Sequence, residues 1–302
     1  MSRRTRHRVI AFASEASYGI DAIDAGEPTT HVLGKQFDIE PLNGDDVDLD
    51  YDDGAGGNSE QVLTGNYAVV KFAVDWAGSG VATTAAKYAP LLEACLRKTT
   101  VGASDVRYEM DEEGDASLTL YFYHSGALHK LTGVRGNVSF TANAKTMPEL
   151  MFTFTGLFNP VVAEQQPAPN LTGWLKPVPV GVEYSAATLG GVAVKLLEFN
   201  ADQTNDVSYQ EYIGHQEIEV SDFKPTGSMT LQAPDLASFD PFDAAIEGAP
   251  QVFSFSHGPA LNQVGWEANL QLGRPTYGDQ NGTATYSVPF RVLSNTDYLY
   301  TK

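Results

Sequence analysis

The stretch Tyr67-Ala-Val-Val-Lys-Phe-Ala-Val-Asp-Trp76 sets the class of the fold. It is an alternating run of β-branched and aromatic residues bounded by Asn and Gly, the pattern of a strand. Ser117-Leu-Thr-Leu-Tyr-Phe-Tyr123, Asn137-Val-Ser-Phe-Thr-Ala142 and Leu150-Met-Phe-Thr-Phe-Thr-Gly156 have the same character. Helical periodicity is confined to two stretches. Lys87–Lys98 carries Tyr88, Leu91, Leu92, Cys95 and Leu96 on one face, and Phe239–Gly248 carries Phe239, Phe242 and Ile246. Pro90 and Pro241 fall near their starts, where a missing N–H costs no helical hydrogen bond. The chain is therefore expected to be mainly β with short helices, a β-sandwich or half-barrel plus helix.

Working outward from the two helical segments, the sequence reads as an internal repeat. Tyr88-Ala-Pro90-Leu-Leu-Glu-Ala94-Cys95 aligns with Phe239-Asp-Pro241-Phe-Asp-Ala-Ala245-Ile246. Thr64-Gly65-Asn66 aligns with Thr226-Gly227-Ser228, and Tyr121–Leu128 with Phe253–Leu261. Gly133–Phe140 aligns with Gly265–Leu272, and both copies close on an apolar strand, Met151–Phe158 and Thr285–Leu293. The order is the same throughout. The expected organisation is a basic arm (1–15), a first domain (16–158), a linker (159–180) with five prolines between Asn159 and Pro179, and a second copy of the domain (181–302).

Composition narrows the function. The 302 residues carry 38 acidic and 19 basic side chains, a net charge of -19, which repels DNA and argues against a nucleic-acid reader. Cys95 is the single cysteine, so neither an intramolecular disulfide nor a thiolate metal site is expected. The apolar run Val9–Ala13 is too short for the core of a secretion signal, and no run reaches the ~18 apolar residues of a membrane helix. No membrane partner is expected.

Glu15-Ala-Ser-Tyr18-Gly19, the Thr-Gly-bounded strands, the helix Tyr88–Arg97 after a Gly-Ser-Gly turn, and Gly133-Val-Arg-Gly136 ending in Phe154-Thr-Gly156 resemble the major tail tube proteins of bacteriophages with long non-contractile tails. The resemblance implies two sheets packed with a helix and inner sheets that join around a ring into one continuous β-barrel. It implies a structural virion protein, made and assembled in the host cytoplasm, that stacks into the conduit for double-stranded DNA ejection. Its partners would be itself, the tape measure protein and genomic DNA within the lumen, and the tail terminator and distal tail proteins at the ends. A chain with two such domains would fill a six-position ring with three copies, a pseudo-hexameric homotrimer. A lumen that passes DNA without gripping it should lack basic patches, and Asp38, Glu40, Glu217, Glu219 and Asp222 are the candidate acidic wall residues. The basic arm (Arg3, Arg4, Arg6, Arg8) and the acidic loop (Asp45, Asp46, Asp48, Asp50, Asp52, Asp53) are expected to pair between stacked rings.

No catalytic residue, metal site or cofactor is expected, and the chain is read as catalytically inert. Asp48-x-Asp50-x-Asp52 opens like a calcium-binding loop, but the glycine falls seventh and Ser59 replaces the twelfth-position Glu. His7, His31, His124, His129, His215 and His257 show no metal spacing, and His124 and His257 occupy matching repeat positions at strand ends, where packing or a turn hydrogen bond is expected. Two other readings stay open: a distal-tail or baseplate hub protein of the same fold, and a carbohydrate-binding β-sandwich with Trp174 and Trp266 as sugar platforms. Trp266 is expected in a core slot, which argues against the second.

Overall fold

The computed structural model describes residues 7–52, 54, 56–293 and 296–302. In the first half, β1 (Arg8–Ser14), β2 (Thr30–His31), β3 (Gly34–Asp48) and β4 (Gln61–Asp75) lead to α1 (Ala89–Glu93). They are followed by β5 (Arg97–Val101), β6 (Val106–Met110), β7 (Leu118–His124), β8 (Ala127–Asn143) and β9 (Glu149–Phe158). The second half runs β10 (Ser185–Leu189), β11 (Val192–Ala193), β12 (Leu196–Asp202), β13 (Asn205–Tyr212), β14 (His215–Phe223) and β15 (Thr226–Gln232). After α2 (Pro241–Glu247) come β16 (Gln251–His257), β17 (Val264–Leu272), β18 (Thr276–Gln280), β19 (Thr283–Val292) and β20 (Tyr298–Thr301). The protein is mainly β, as its alternating runs require.

Strand pairing follows one order in both halves. In the first it runs β3, β4, β9, β8, β7, β1; in the second, β12, β15, β19, β17, β16, β10. The register differs from the glycine-based alignment. Leu118 faces Val134, and Gln251 faces Leu270 at the same distance from the strand-end histidines, so Val134 corresponds to Leu270 and not to Trp266. Likewise Phe72 faces Phe152 where Met229 faces Val288, which places Val69, not Thr64, at the level of Thr226. The glycines misled because each answers a local demand. Gly133 has a φ of +58° beside the Tyr18 ring, whereas a Cβ on Gly265 would meet Tyr300 at 2.3 Å.

Both helices are shorter than their periodicity suggests. α1 stops at Glu93 because the backbone turns through Leu96 (φ 61°) to send Arg97 inward as the first residue of β5. α2 is capped by Asp240, whose carboxylate accepts from Phe242 and Asp243 N–H, and it ends on left-handed Gly248. Its buried stripe is Pro241 and Ala244, so Ile246 points to solvent at 84% exposure instead of joining the core.

The halves share one core. Phe140 of β8 lies edge-on to Trp266 of β17 at 5.0 Å, and Trp76 packs on Phe255 at 6.2 Å. Trp266 is fully buried, so it offers no sugar platform, and Trp174 is committed by a hydrogen bond from its Nε1 to the His31 carbonyl at 2.9 Å. Behind the aromatic cluster, buried Arg97 donates to Asp297 (2.7 Å), Gln203 (2.8 Å) and the Tyr108 carbonyl (3.1 Å), while Trp266 Nε1 donates to the same Asp297 oxygen at 3.1 Å. Strand β20 inserts between β17 and β6, so the chain's last strand ties the halves together a second time.

The linker lies on both halves. Its Val162 bridges Leu128, Val180 exchanges hydrogen bonds with Lys145 and Thr146, and the Lys176 carbonyl accepts from Asn262. His257 Nε2 donates to the Val178 carbonyl at 2.9 Å, which leaves Nδ1 to accept from the Ser185 hydroxyl at 2.8 Å. Burial disfavours the imidazolium and holds this pKa below the ordinary histidine value, only partly opposed by the carbonyl. The packing role expected for this strand-end histidine is therefore the one its surroundings support.

Two outcomes are expected. Asp297→Ala strands a buried guanidinium and should lower the unfolding free energy by about 3–5 kcal/mol, with a smaller loss for Arg97→Met combined with Asp297→Leu; urea unfolding followed by tryptophan fluorescence compares them. His257 binds a proton in the unfolded chain that the folded chain refuses, so its stabilising contribution is present above a pH of about 6.5 and is lost as pH falls below it. The urea midpoint of the parent protein should therefore drop more between about pH 7.5 and 5.5 than that of His257→Gln, and equal drops would show that His257 carries no such linkage.

Candidate functional site

The C-terminal end of β8 pairs on both edges: with β9 on one side, and with β12 on the other through Ser139↔Asp202, Phe140↔Ala201, Thr141↔Asn200, Ala142↔Phe199 and Asn143↔Glu198. That junction merges the inner sheets of the two halves into one, in the order β3, β4, β9, β8, β12, β15, β19, β18. Phe72, Phe152, Val138, Phe199, Met229 and Val288 point to the core from this sheet. The alternate residues form its other face, which is polar almost throughout because period-two alternation puts every second side chain there.

Acidic groups are spread along that face. Register sets Asp38 beside Lys71 and Glu40 beside Val69, and Glu40 is held by Lys71 Nζ at 3.0 Å and Asn43 at 2.9 Å. The ammonium group and the amide keep the Glu40 carboxyl below the usual carboxylate range. Lys35 Nζ lies between Asp75 (2.6 Å) and Glu149 (2.7 Å). In the second half Glu198 accepts from Thr230 at 3.1 Å, and Asp202 accepts from Asn137 at 2.7 Å. Glu198, Asp202, Asp75 and Glu149 are not among the acids singled out from the sequence, and only strand register brings them to this face.

The other three sequence-selected acids lie on and beside the β13–β14 hairpin. Glu217 and Glu219 belong to the β13–β14 hairpin, on the face opposite buried Ile218. Asp222, at the root of that hairpin, is exposed and paired with Lys224, which lowers its pKa. The hairpin continues β12 and β15 and folds back over the polar face of the first half. There Tyr209 stacks on Tyr67 at 5.5 Å, Arg135 donates to the Ile218 carbonyl at 3.1 Å, and Ile218 N–H donates to the Tyr18 hydroxyl.

The Glu15–Gly19 motif builds the seat for this hairpin. Glu15 accepts from Thr119 (2.9 Å) and Gly133 N–H (2.8 Å) on one oxygen, and from Gly19 N–H (2.8 Å) and Ser117 (2.7 Å) on the other. These four bonds fix the turn that presents Tyr18, over which the Arg135 guanidinium lies at 5.0 Å.

The acidic loop forms the distal part of the β3–β4 hairpin, with Asp45, Asp46 and Asp48 on paired strand positions and Asp50 and Asp52 beyond them, all exposed. Arg8 belongs to β1 and donates to the Phe37 carbonyl. Arg3, Arg4, Arg6 and Asp53 lie outside the described residues. No helix among the described residues is long and apolar enough to cross a membrane.

Among the described residues, β3 and β18 of the polar sheet each pair on one side only. The molecule thus presents a continuous sheet with a charged, solvated face and two open edges, a shape suited to association. A search of curated proteins finds no match. A family model described as phage tail tube protein matches residues 5–292, nearly the whole chain and both halves of the sheet. The chain belongs to the phage tail tube protein family, and its merged, open-edged sheet is that of a structural component of a phage tail.

Proposed function

We propose that the chain assembles with itself into rings that stack into the tail tube, each ring holding three chains and closed by pairing β3 of one copy with β18 of the next. The observation that carries this reading is the β8–β12 junction. The corresponding pairing positions make β3 the counterpart of β12 and β18 the counterpart of the C-terminal end of β8. The contact already formed inside the chain thus has both of its surfaces left over at the ends of the sheet. Repeating its register sets Asp38 opposite Gly278 of the next copy, as Asn200 lies opposite Thr141 within the chain.

The same pairing order in both halves supports a chain built of two copies of one domain, residues 16–158 and 181–302, with the linker 159–180 between them. Two domain positions per chain make a three-chain ring imitate six-fold symmetry. The polar sheet face then lines the bore. Asp38, Glu40 and Glu198 would present carboxylates to the phosphates of DNA, which lowers the attraction that would retard its passage. In such a tube the lumen holds the tape measure protein and then genomic DNA, and the terminator and distal tail proteins cap its ends.

Negative-stain electron microscopy of the purified protein at high concentration tests the assembly. Hollow tubes of uniform width with three-fold end-on averages are expected. Closed single rings that never stack would favour a hub protein at the end of a tail, and particles that remain monomeric at every concentration would refute self-assembly.

A further inference from the structure

The two long hairpins are counterparts whose surroundings differ. Counting paired positions outward from Glu40↔Val69 in the first hairpin and Asp202↔Thr226 in the second, Asn43↔Tyr67 matches Asn205↔Phe223 and Val47↔Val62 matches Tyr209↔Ile218. The irregular step between Asn43 and Asp45 recurs between Asn205 and Val207. Tyr209 and Ile218 are covered by the first half of their own chain, with Ile218 fully buried. Val47 and Val62, the equivalent cross-strand pair, stand 49% and 46% exposed.

The surface that would cover them is present and open. The first half receives its hairpin over β4, β8 and β9 next to Arg135. The matching part of the second half, over β15, β17 and β19, is a groove of about 630 Å³ lined by Asp202, Thr226, Gln271, Pro289 and Arg291. A second hollow of about 590 Å³ continues it past Thr226, Arg291 and Lys224. Gln271 holds the place of Arg135, because Leu270 corresponds to Val134. Arg291, opposite Gln271, presents an exposed guanidinium where the aspartates of the first hairpin would pass.

We infer that the Asn43–Thr64 hairpin of one copy docks its Val47–Val62 face into the β15–β17–β19 groove of the neighbouring copy, reproducing between chains the contact that β13–β14 makes within one. The inference rests on the proposed self-assembly. It goes beyond edge pairing by naming a second surface at the same junction, and it gives the acidic loop a partner other than the basic arm. Asp45, two residues along the strand from Val47 and on the same face, would meet Arg291, while Val62 would sit near Gln271 as Ile218 sits near Arg135.

Cysteines placed at Val62 and Gln271 of the full-length chain, treated with a short bismaleimide, test the contact; native Cys95 is fully buried and silent. Assembled double variant should give a ladder of covalent multimers, and neither single variant should. In parallel, V47D combined with V62D should lower the sedimentable fraction at least tenfold, with the monomer's thermal melt unchanged because neither valine is in the core. Tubes that form normally without a cross-link, or that tolerate both aspartates, would overturn the docking and leave the tube reading standing. A parent protein that never assembles would remove both.

Discussion

Five consecutive backbone pairs between Ser139–Asn143 and Glu198–Asp202 decide what this protein is. A strand edge left open in water is an invitation to any other strand. In the first half, β8 resolves that by accepting β12 from the second. The rest of the structure is arranged to hold those strands at pairing distance. Phe140 and Phe199, within the paired segments, pack with Trp266 on the core side, and the Arg97–Asp297 pair fixes β5 to the C-terminal segment behind them. The polar face, the open edges and the seat for β13–β14 all follow from having two sheets joined in this register.

The buried ion pair serves geometry more than net stability. Desolvating a guanidinium and a carboxylate offsets much of their attraction, and a packed apolar pair can do as well. Here the carboxylate also receives the indole N–H of Trp266, and the guanidinium also reaches Gln203 and a backbone carbonyl. Side chains from β5, the β12–β13 turn, β17 and the C-terminal segment and a backbone carbonyl of β6 thus meet at one point. A shift of either half would leave several buried polar groups unpaired, so the network penalises every relative position but one.

The alternating runs made the strands of the first half legible, because one-sided burial leaves its mark at every second residue. The repeat was legible in its order but not in its register. Pairing partners fix register, and Gly133 and Gly265, which seemed to anchor the alignment, are glycine for unrelated local reasons. Helix lengths were overestimated because Cys95, Leu96 and Ile246 continue an apolar period that the backbone abandons at Leu96 and that α2 directs outward. Among the polar residues, Asp38 and Glu40 could be placed next to a strand pattern, but Glu198 and Asp202 reach the same face only through a junction that joins residues some sixty positions apart. Glu15 illustrates the opposite case: a residue noticed as part of a signature proves to be the acceptor of four hydrogen bonds that shape the seat for a distant hairpin.

If the first hairpin docks as proposed, the divergence of the two hairpins fits the different times at which each would bury its face. The β13–β14 hairpin is tethered to its own receptor, so its contact forms at high effective concentration during folding, and large apolar groups such as Tyr209 and Ile218 carry no penalty of exposure. The β3–β4 hairpin finds no such seat within its own chain. Until a second copy arrives it is a long hairpin in water with Leu42, Val47, Val62 and Leu63 exposed, the kind of surface that pairs indiscriminately. Its aspartates, at 45, 46, 48, 50 and 52, interrupt that apolar surface at nearly every step, and in a chain of net charge -19 they make like hairpins repel. Valines in place of the tyrosine and isoleucine reduce the apolar area at stake. On the proposed docking, the first hairpin would be soluble when free and specific when docked, and a basic groove residue such as Arg291 would convert the repulsion that protects it into the attraction that places it.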